Sequence, residues 1–256
     1  MKLKMFFGLL IMMHFISLYS QNAQSIIQKS MDAISFEGFE MTSTLYIYDQ
    51  KGNSRQRTIQ TSSKQFGDVT KMVSRFLAPP EVNGTSILIH DYENKTSDMW
   101  IYLPSTRKVR RIASNDKKGS FMGTEFSNGN MSKPELQDYI FKLSGTEIYE
   151  GKECFKLEIS GKSPEIAKMD GFSMQYSWID KSNFLNLKTV YYDQKGKLLK
   201  TQKFSQYKKQ PNGKYFCFSM EMKNEVNGRR SVIETKSFTL GSGKKEKCFI
   251  PASFME

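Results

Sequence analysis

From residue 36 to residue 240 the chain reads mostly with a period of two. Apolar side chains alternate with polar ones in runs such as TLYIY (44–48) and TSILIHD (85–91), the pattern of half-buried strands. Residues 36–48 and 54–66 form two such runs, joined by Asp49-Gln50-Lys51-Gly52-Asn53, a hairpin signal. A third run over 69–77 stops at Pro79-Pro80, because proline cannot donate to a ladder. Runs at 85–91, 97–103 and 107–113 continue the pattern, and further extended stretches follow residue 142. Their turns fall at Glu150-Gly151, at Asp180-Lys181-Ser182-Asn183, at Asp193-Gln194-Lys195-Gly196 and at Asn227-Gly228. The last is the strongest two-residue hairpin signal in the chain. About eleven or twelve strands with short turns predict one meandering antiparallel sheet, and a sheet that wide tends to curl or close.

The period changes in few places. Over residues 23–34 the apolar positions Ile26, Ile27, Met31 and Ile34 fall at helical spacing. Ser132, with Glu135 three positions on, has capping-box spacing and predicts a short helix over 132–141. Residues 163–170 read as a loop or short helix. The tail, Cys248 to Phe254, is apolar enough to dock back on the body. No linker or internal repeat interrupts the chain.

The first twenty residues follow another rule. Lys2 and Lys4 precede the apolar run MFFGLLIMMHFISLY (5–19), and polar residues follow at once. This is the layout of a signal peptide, cleaved after Ser20 or Ala23. The run is too short to span a bilayer comfortably. No Cys lies near the cleavage region, so a lipid-modified N-terminus is not expected. Residues 21–256 then form a single domain exported to the periplasm. The formal charge of +12 falls to +10 once Lys2 and Lys4 leave with the leader. In an exported chain that charge points to anionic headgroups, an acidic partner or solubility rather than to nucleic acid. Cys154, Cys217 and Cys248 are odd in number and widely spaced, so they set no disulfide framework: one bridge or three free thiols are both open.

Catalytic chemistry is not apparent. His14 lies in the leader, and His90 stands alone at the end of an apolar strand, a structural position. The nucleophile-elbow, phosphate-loop and zinc-protease patterns do not occur. One remaining His and three dispersed Cys make no metal-ligand set. No enzyme activity, metal or cofactor is therefore expected. Greasy residues are abundant instead, with 19 Phe, 12 Tyr and 15 Met. Most are expected core, although Met also suits surfaces that adapt to variable apolar ligands.

One stretch carries more. Trp100-Ile101-Tyr102-Leu103-Pro104, then Arg107-Lys108-Val109-Arg110-Arg111-Ile112, then Phe121-Met122-Gly123-Thr124-Glu125-Phe126 stand in that order. They follow Phe76-Leu77-x-Pro79-x-x-Val82-x-Gly84-Thr85-x-x-Leu88. Together these motifs resemble the bacterial outer-membrane lipoprotein-sorting proteins, the longer relatives of the LolA-like periplasmic lipoprotein carriers. The resemblance covers essentially the whole chain after the leader.

The resemblance implies a mainly β (α+β) fold: an incomplete, strongly curved antiparallel β-barrel of about 11 strands, with helices packed on or in its concave side. It further implies a carrier that holds acyl chains of lipoproteins or lipids in an apolar cavity. An inner-membrane transporter would donate the cargo, and an outer-membrane acceptor would receive it. The chain would act as a monomer, with transient contact to membrane surfaces. The alternative is a non-transporting periplasmic adaptor or sensor with the same fold. Trp100, Tyr102, Leu103, Phe121, Met122 and Phe126 are the candidates for the cavity wall or mouth. Arg107, Lys108, Arg110 and Arg111 are the candidates for partner or headgroup contact. Alternation splits the basic run, with Arg107, Val109 and Arg111 on one face and Lys108, Arg110 and Ile112 on the other. A split run favours a structural role over a polyanion patch.

Overall fold

The computed structural model describes residues 22–113 and 115–254; the expected leader and its cleavage sites lie outside them, apart from Ala23. A helix, α1 (residues 22–33), leads into thirteen strands, one or two more than the eleven or twelve expected. The strands are β1 (Gly38–Tyr48), β2 (Ser54–Phe66), β3 (Val69–Ala78), β4 (Ser86–Tyr92), β5 (Asp98–Leu103), β6 (Lys108–Ile112), β7 (Tyr139–Tyr149), β8 (Lys152–Gly161), β9 (Met174–Asp180), β10 (Asn186–Tyr192), β11 (Leu198–Lys209), β12 (Tyr215–Asn224) and β13 (Arg230–Leu240). A second helix, α2 (Pro164–Asp170), sits between β8 and β9. Ser163 caps α2, Pro164 starts it, and Gly171 ends it at a φ of 81°, an order that follows from capping chemistry.

All thirteen strands lie in one antiparallel sheet, ordered β6-β5-β4-β3-β2-β1-β13-β12-β11-β10-β9-β8-β7. Two meanders are therefore joined at a central seam, where β1 pairs with β13. The two ends of the sheet, β6 and β7, are unpaired with each other.

The sheet curls strongly without closing. Met99 of β5 and Tyr191 of β10 stand eight strands apart in the ladder, yet both belong to one buried cluster. In a flat sheet they would be about 38 Å apart, at roughly 4.8 Å per strand. The face that carries both is therefore concave. The register places Met41, Leu45, Ile59, Phe76, Ile87, Ile89, Met220 and Ile233 on the same face.

Two segments cover parts of this face. Helix α1 packs Ala23 and Ile26 on Phe141, Leu157, Ile159 and Ile179 of β7–β9. Its buried stripe runs Ala23, Ile26, Ser30; Met31 is half-buried and Ile34 exposed, so the helix is turned away from the stripe that the apolar spacing predicts. The long connection from β6 to β7 forms a plug over the middle of the face. It carries no helix over 132–141. A short 3-10 turn at Leu136–Asp138 stands there instead, and Tyr139 already pairs with Gly161 as a strand residue. The pull of the β7–β8 ladder overrides the local capping signal. The capping box that does form joins Ser127 and Asn130.

The Asn227-Gly228 turn is also longer than expected. Asn224 N–H donates to the Arg229 carbonyl across it at 2.8 Å, and the Asn224 side chain accepts from the Val226 and Asn227 amides.

The C-terminal tail docks on the convex face. Phe249 is fully buried there, with its ring edge-on to Phe66. Phe254 stacks on Tyr102 at 5.9 Å. The Lys71 and Glu246 side chains pair at 2.5 Å. All three cysteines are free.

Candidate functional site

The concave face is the place to look for a site, and the plug defines its floor. Residues 119–128 form a small self-bonded loop: Phe121 N–H donates to the Phe126 carbonyl at 2.9 Å, and Asn128 N–H to the Gly119 carbonyl at 2.8 Å. The tip turns through the left-handed region at Met122 and Gly123, with φ of 51° and 74°. That geometry explains the glycine, which adopts it at little cost. Phe121 and Phe126 point into the sheet and are buried.

Side chains from the sheet then hold the plug. Arg57 donates to the Met122 carbonyl at 2.6 Å, and Lys200 to the Glu125 carbonyl at 2.6 Å. Glu125 is buried, and its carboxylate meets Arg229 Nε at 3.0 Å and Asn224 Nδ2 at 2.9 Å. Its own N–H donates to the hydroxyl of Ser231, which is fully buried. Burial lowers the pKa of the Lys200 ammonium, and Glu125 partly offsets that. A buried carboxylate of this kind is kept only because it is paired and hydrogen-bonded. The latch therefore joins the plug to β2, β11, β12 and β13 at once.

Beyond the plug, toward the ends of β1 and β13, the concave face is open. One irregularity brings an aromatic side chain there. The β1–β13 register shifts around Lys236, so Thr235 pairs with Ser43 but Phe238 pairs with Met41 and Leu240 with Phe39. Such bulges re-aim side chains at the rims of curved sheets. Phe216 and Phe218 reach the same face by plain alternation along β12 with Met220, which pairs with Ile233. Phe36, Phe39, Phe216, Phe218 and Phe238 form one connected aromatic group, with Phe216 and Phe238 stacked at 4.0 Å. All five are only half-buried, and Ile34 and Leu240 beside them in the chain are exposed. Lys208 places its ammonium 4.5 Å from the Phe218 ring centre. The result is an apolar floor with a cation at its edge, suited to an apolar chain with a polar head.

The residues singled out in the sequence are divided between the two faces. Phe121, Met122 and Phe126 are together in the plug. Leu103 shares the concave face with Ile101 and Met99. Trp100 and Tyr102 lie on the convex face, where Trp100 meets His90 edge-on at 4.9 Å and Tyr102 meets Phe254. The structure does not bring these two aromatics to the surface occupied by Phe121 and Phe126. The basic run is split: Lys108 and Arg110 stand opposite Leu103 and Ile101, and Arg111 stands opposite Trp100 and forms an ion pair with Asp98. Arg107 is in the turn before β6, with a φ of 52°. Among the described residues no cluster of His, Cys, Asp and Glu is arranged to hold a metal ion, and no helix is long and apolar enough to cross a membrane.

The aromatic floor was hidden in the sequence. Phe216, Phe218 and Phe238 read there as ordinary strand aromatics, and only the register shift at Lys236 brings Phe238 onto the face of the other two.

A curled, unclosed antiparallel sheet with one helix and one plug on its hollow face is the architecture of the LolA-like proteins. A domain from Vibrio parahaemolyticus named for outer membrane lipoprotein sorting shares it with a TM-score of 0.85 and 28% identity, over 93% of this chain and 100% of that one. A DUF1329 family protein from Desulfovibrio piger matches with a TM-score of 0.84 and 26% identity, over 92% and 99% of the two chains. A LolA superfamily protein from Nitrosomonas europaea has the same fold at a TM-score of 0.68 and 20% identity, over 89% and 97%. No curated protein sequence matches. A family model described as "Uncharacterized protein" matches residues 68–256. The chain belongs to that family, and its fold is that of the LolA-like proteins.

Proposed function

We propose that the chain is a periplasmic carrier that holds acyl chains of a lipoprotein or lipid against its concave face. The observation that carries this reading is the open group Phe36, Phe39, Phe216, Phe218 and Phe238 on a face that α1 and the plug otherwise cover. Each acyl methylene moved from water onto such a floor contributes about 0.8 kcal/mol, so a long chain is held without a specific polar contact. Lys208 would meet the polar head. Phe121, Met122 and Phe126 would form the inner end of the site, which deepens when the plug latch around Glu125 opens. Release into an acceptor would be the reverse partition. The names of the Vibrio and Nitrosomonas relatives agree with this reading. It involves no catalytic step.

A second reading, a non-transporting adaptor, draws on the plug itself. The plug fills the middle of the concave face with protein side chains, which shortens the space for cargo. The two readings separate in one experiment. The chain after its leader is purified from the periplasm of its host and examined by native mass spectrometry with lipid extraction. Co-purified acyl lipid or acylated protein at near-stoichiometric level supports the carrier. An empty chain that also refuses a fluorescent fatty-acyl probe removes it and leaves the adaptor.

A further inference from the structure

The convex face carries a second hollow that the carrier reading does not use. A groove of about 790 Å³ lies between the outer side of β2–β5 and the docked tail. This is within the range of roughly 300–1,000 Å³ typical of small-molecule sites. Three cationic residues line it: Arg75 on the sheet, and Lys244 and Lys247 on the tail. Among the described residues no Asp or Glu lines it. Two carboxylates that touch the tail or belong to it are engaged, Glu246 with Lys71 and Glu40 with the Ser242 hydroxyl. Arg75, Lys244 and Lys247 form no ion pair with any described residue. The remainder of the wall is mixed. Val73, Tyr102, Ile250 and Phe254 supply apolar surface, and Gln60 and Ser62 supply neutral donors.

We infer that this groove binds an anionic amphiphile, a phosphate or carboxylate head on a short apolar tail. Unpaired cations in a cleft of one sign concentrate anions. The planar Arg75 guanidinium is the group that matches such a head with two parallel hydrogen bonds, while the two lysines act as point charges. The apolar half of the wall, around the stacked Tyr102 and Phe254 rings, accepts the tail. The site is separate from the aromatic floor, because Gln60, Ser62, Arg75, Ser86 and Tyr102 all alternate onto the opposite face from Ile59, Phe76, Ile87 and Ile101.

The test is isothermal titration of the chain after its leader with decyl phosphate, inorganic phosphate and decyl maltoside, each below its micelle concentration. The expected result is saturable binding of decyl phosphate at least about tenfold tighter than either of the other two. Arg75→Glu with Lys247→Glu should then weaken it by about tenfold or more, since both groups face one anion, while Phe216→Ser leaves it unchanged. Should the reversal disturb folding, judged by thermal unfolding, Arg75→Gln with Lys247→Gln gives the milder comparison. Four outcomes overturn the inference: no saturable binding of decyl phosphate, equal affinity for the neutral maltoside, equal affinity for inorganic phosphate, or loss of binding in Phe216→Ser with no response to the charge changes. The last would assign the amphiphile to the concave floor. Failure here leaves the carrier reading intact, because that rests on acyl-probe uptake and its response to Phe216→Ser.

Discussion

The His90 ring nitrogen Nε2 meets the backbone carbonyl of Phe249 at 2.8 Å, across 159 residues of chain. Burial lowers the His90 pKa below its usual value, and the Phe249 carbonyl only partly opposes this. The unfolded chain therefore binds a proton first as pH falls through about 6.5. The stability that the neutral imidazole contributes is complete above that value and declines as pH falls toward the folded-state pKa. Thermal unfolding followed from pH 8 to pH 5 should show a falling midpoint, and His90→Gln should flatten the fall. Comparison with the variant separates the imidazole from Asp91, whose burial raises its pKa and acts in the opposite direction.

The plug latch should be measurable as stability. Glu125→Ala leaves Asn224 Nδ2 and the half-exposed Arg229 without their carboxylate. A hydrogen bond to a charged group is worth about 1.5–3 kcal/mol, so the unfolding free energy from urea titration should drop by that much and the midpoint should fall with it. An unchanged midpoint would show that the latch carries no load.

Core and floor should respond differently to truncation. Phe126 is fully buried in the plug, and Phe126→Ala should cost about 3–5 kcal/mol. Phe216 is half-exposed, so Phe216→Ala should cost clearly less in unfolding while uptake of a fluorescent acyl probe falls. Equal losses of stability, with uptake unmoved, would return Phe216 to the core.

The thiols should separate by reactivity. Burial pushes the Cys217 pKa up to about 11, and burial also raises that of Cys154. A thiol reagent attacks the thiolate, so at pH 7.5 both should be labelled slowly. Cys248, in the wall of the convex groove, should be labelled first when the alkylated chain is mapped by peptide mass spectrometry.

Much of this fold is legible in the sequence because a strand writes its buried face with a period of two. Leu45 and Ile47, or Ile87 and Ile89, declare that face without help from the remainder of the chain. The division of residues 108–112 between two faces follows from the same rule and matches the β5–β6 register, while Arg107 falls in the turn before the strand. The rule fails where a register skips a residue. Lys236 does not look like a bulge locally, yet it reverses the face of Phe238 and Leu240 beyond it. It fails also at residues 132–141, where Ser132 and Glu135 satisfy a helix start that a distant ladder overrides. Trp100 and Tyr102 illustrate a third limit. Their place beside Leu103 in a motif says nothing about the tail that covers them, because Phe249 and Phe254 lie about 150 residues further along.

The seam between β1 and β13 fixes the order in which the molecule can be finished. Phe39 has Ser63 on one side as soon as the first hairpin exists, but on the other it waits for Leu240. Each meander can assemble by itself from neighbouring hairpins, and local pairings of that kind form quickly. The join cannot form until β13 is available to β1. Until then two long strand edges stand open in the centre of the future sheet, and unpaired edges invite pairing with other chains. Folding thus passes through a stage at which the molecule is most vulnerable, and a single late ladder removes the hazard.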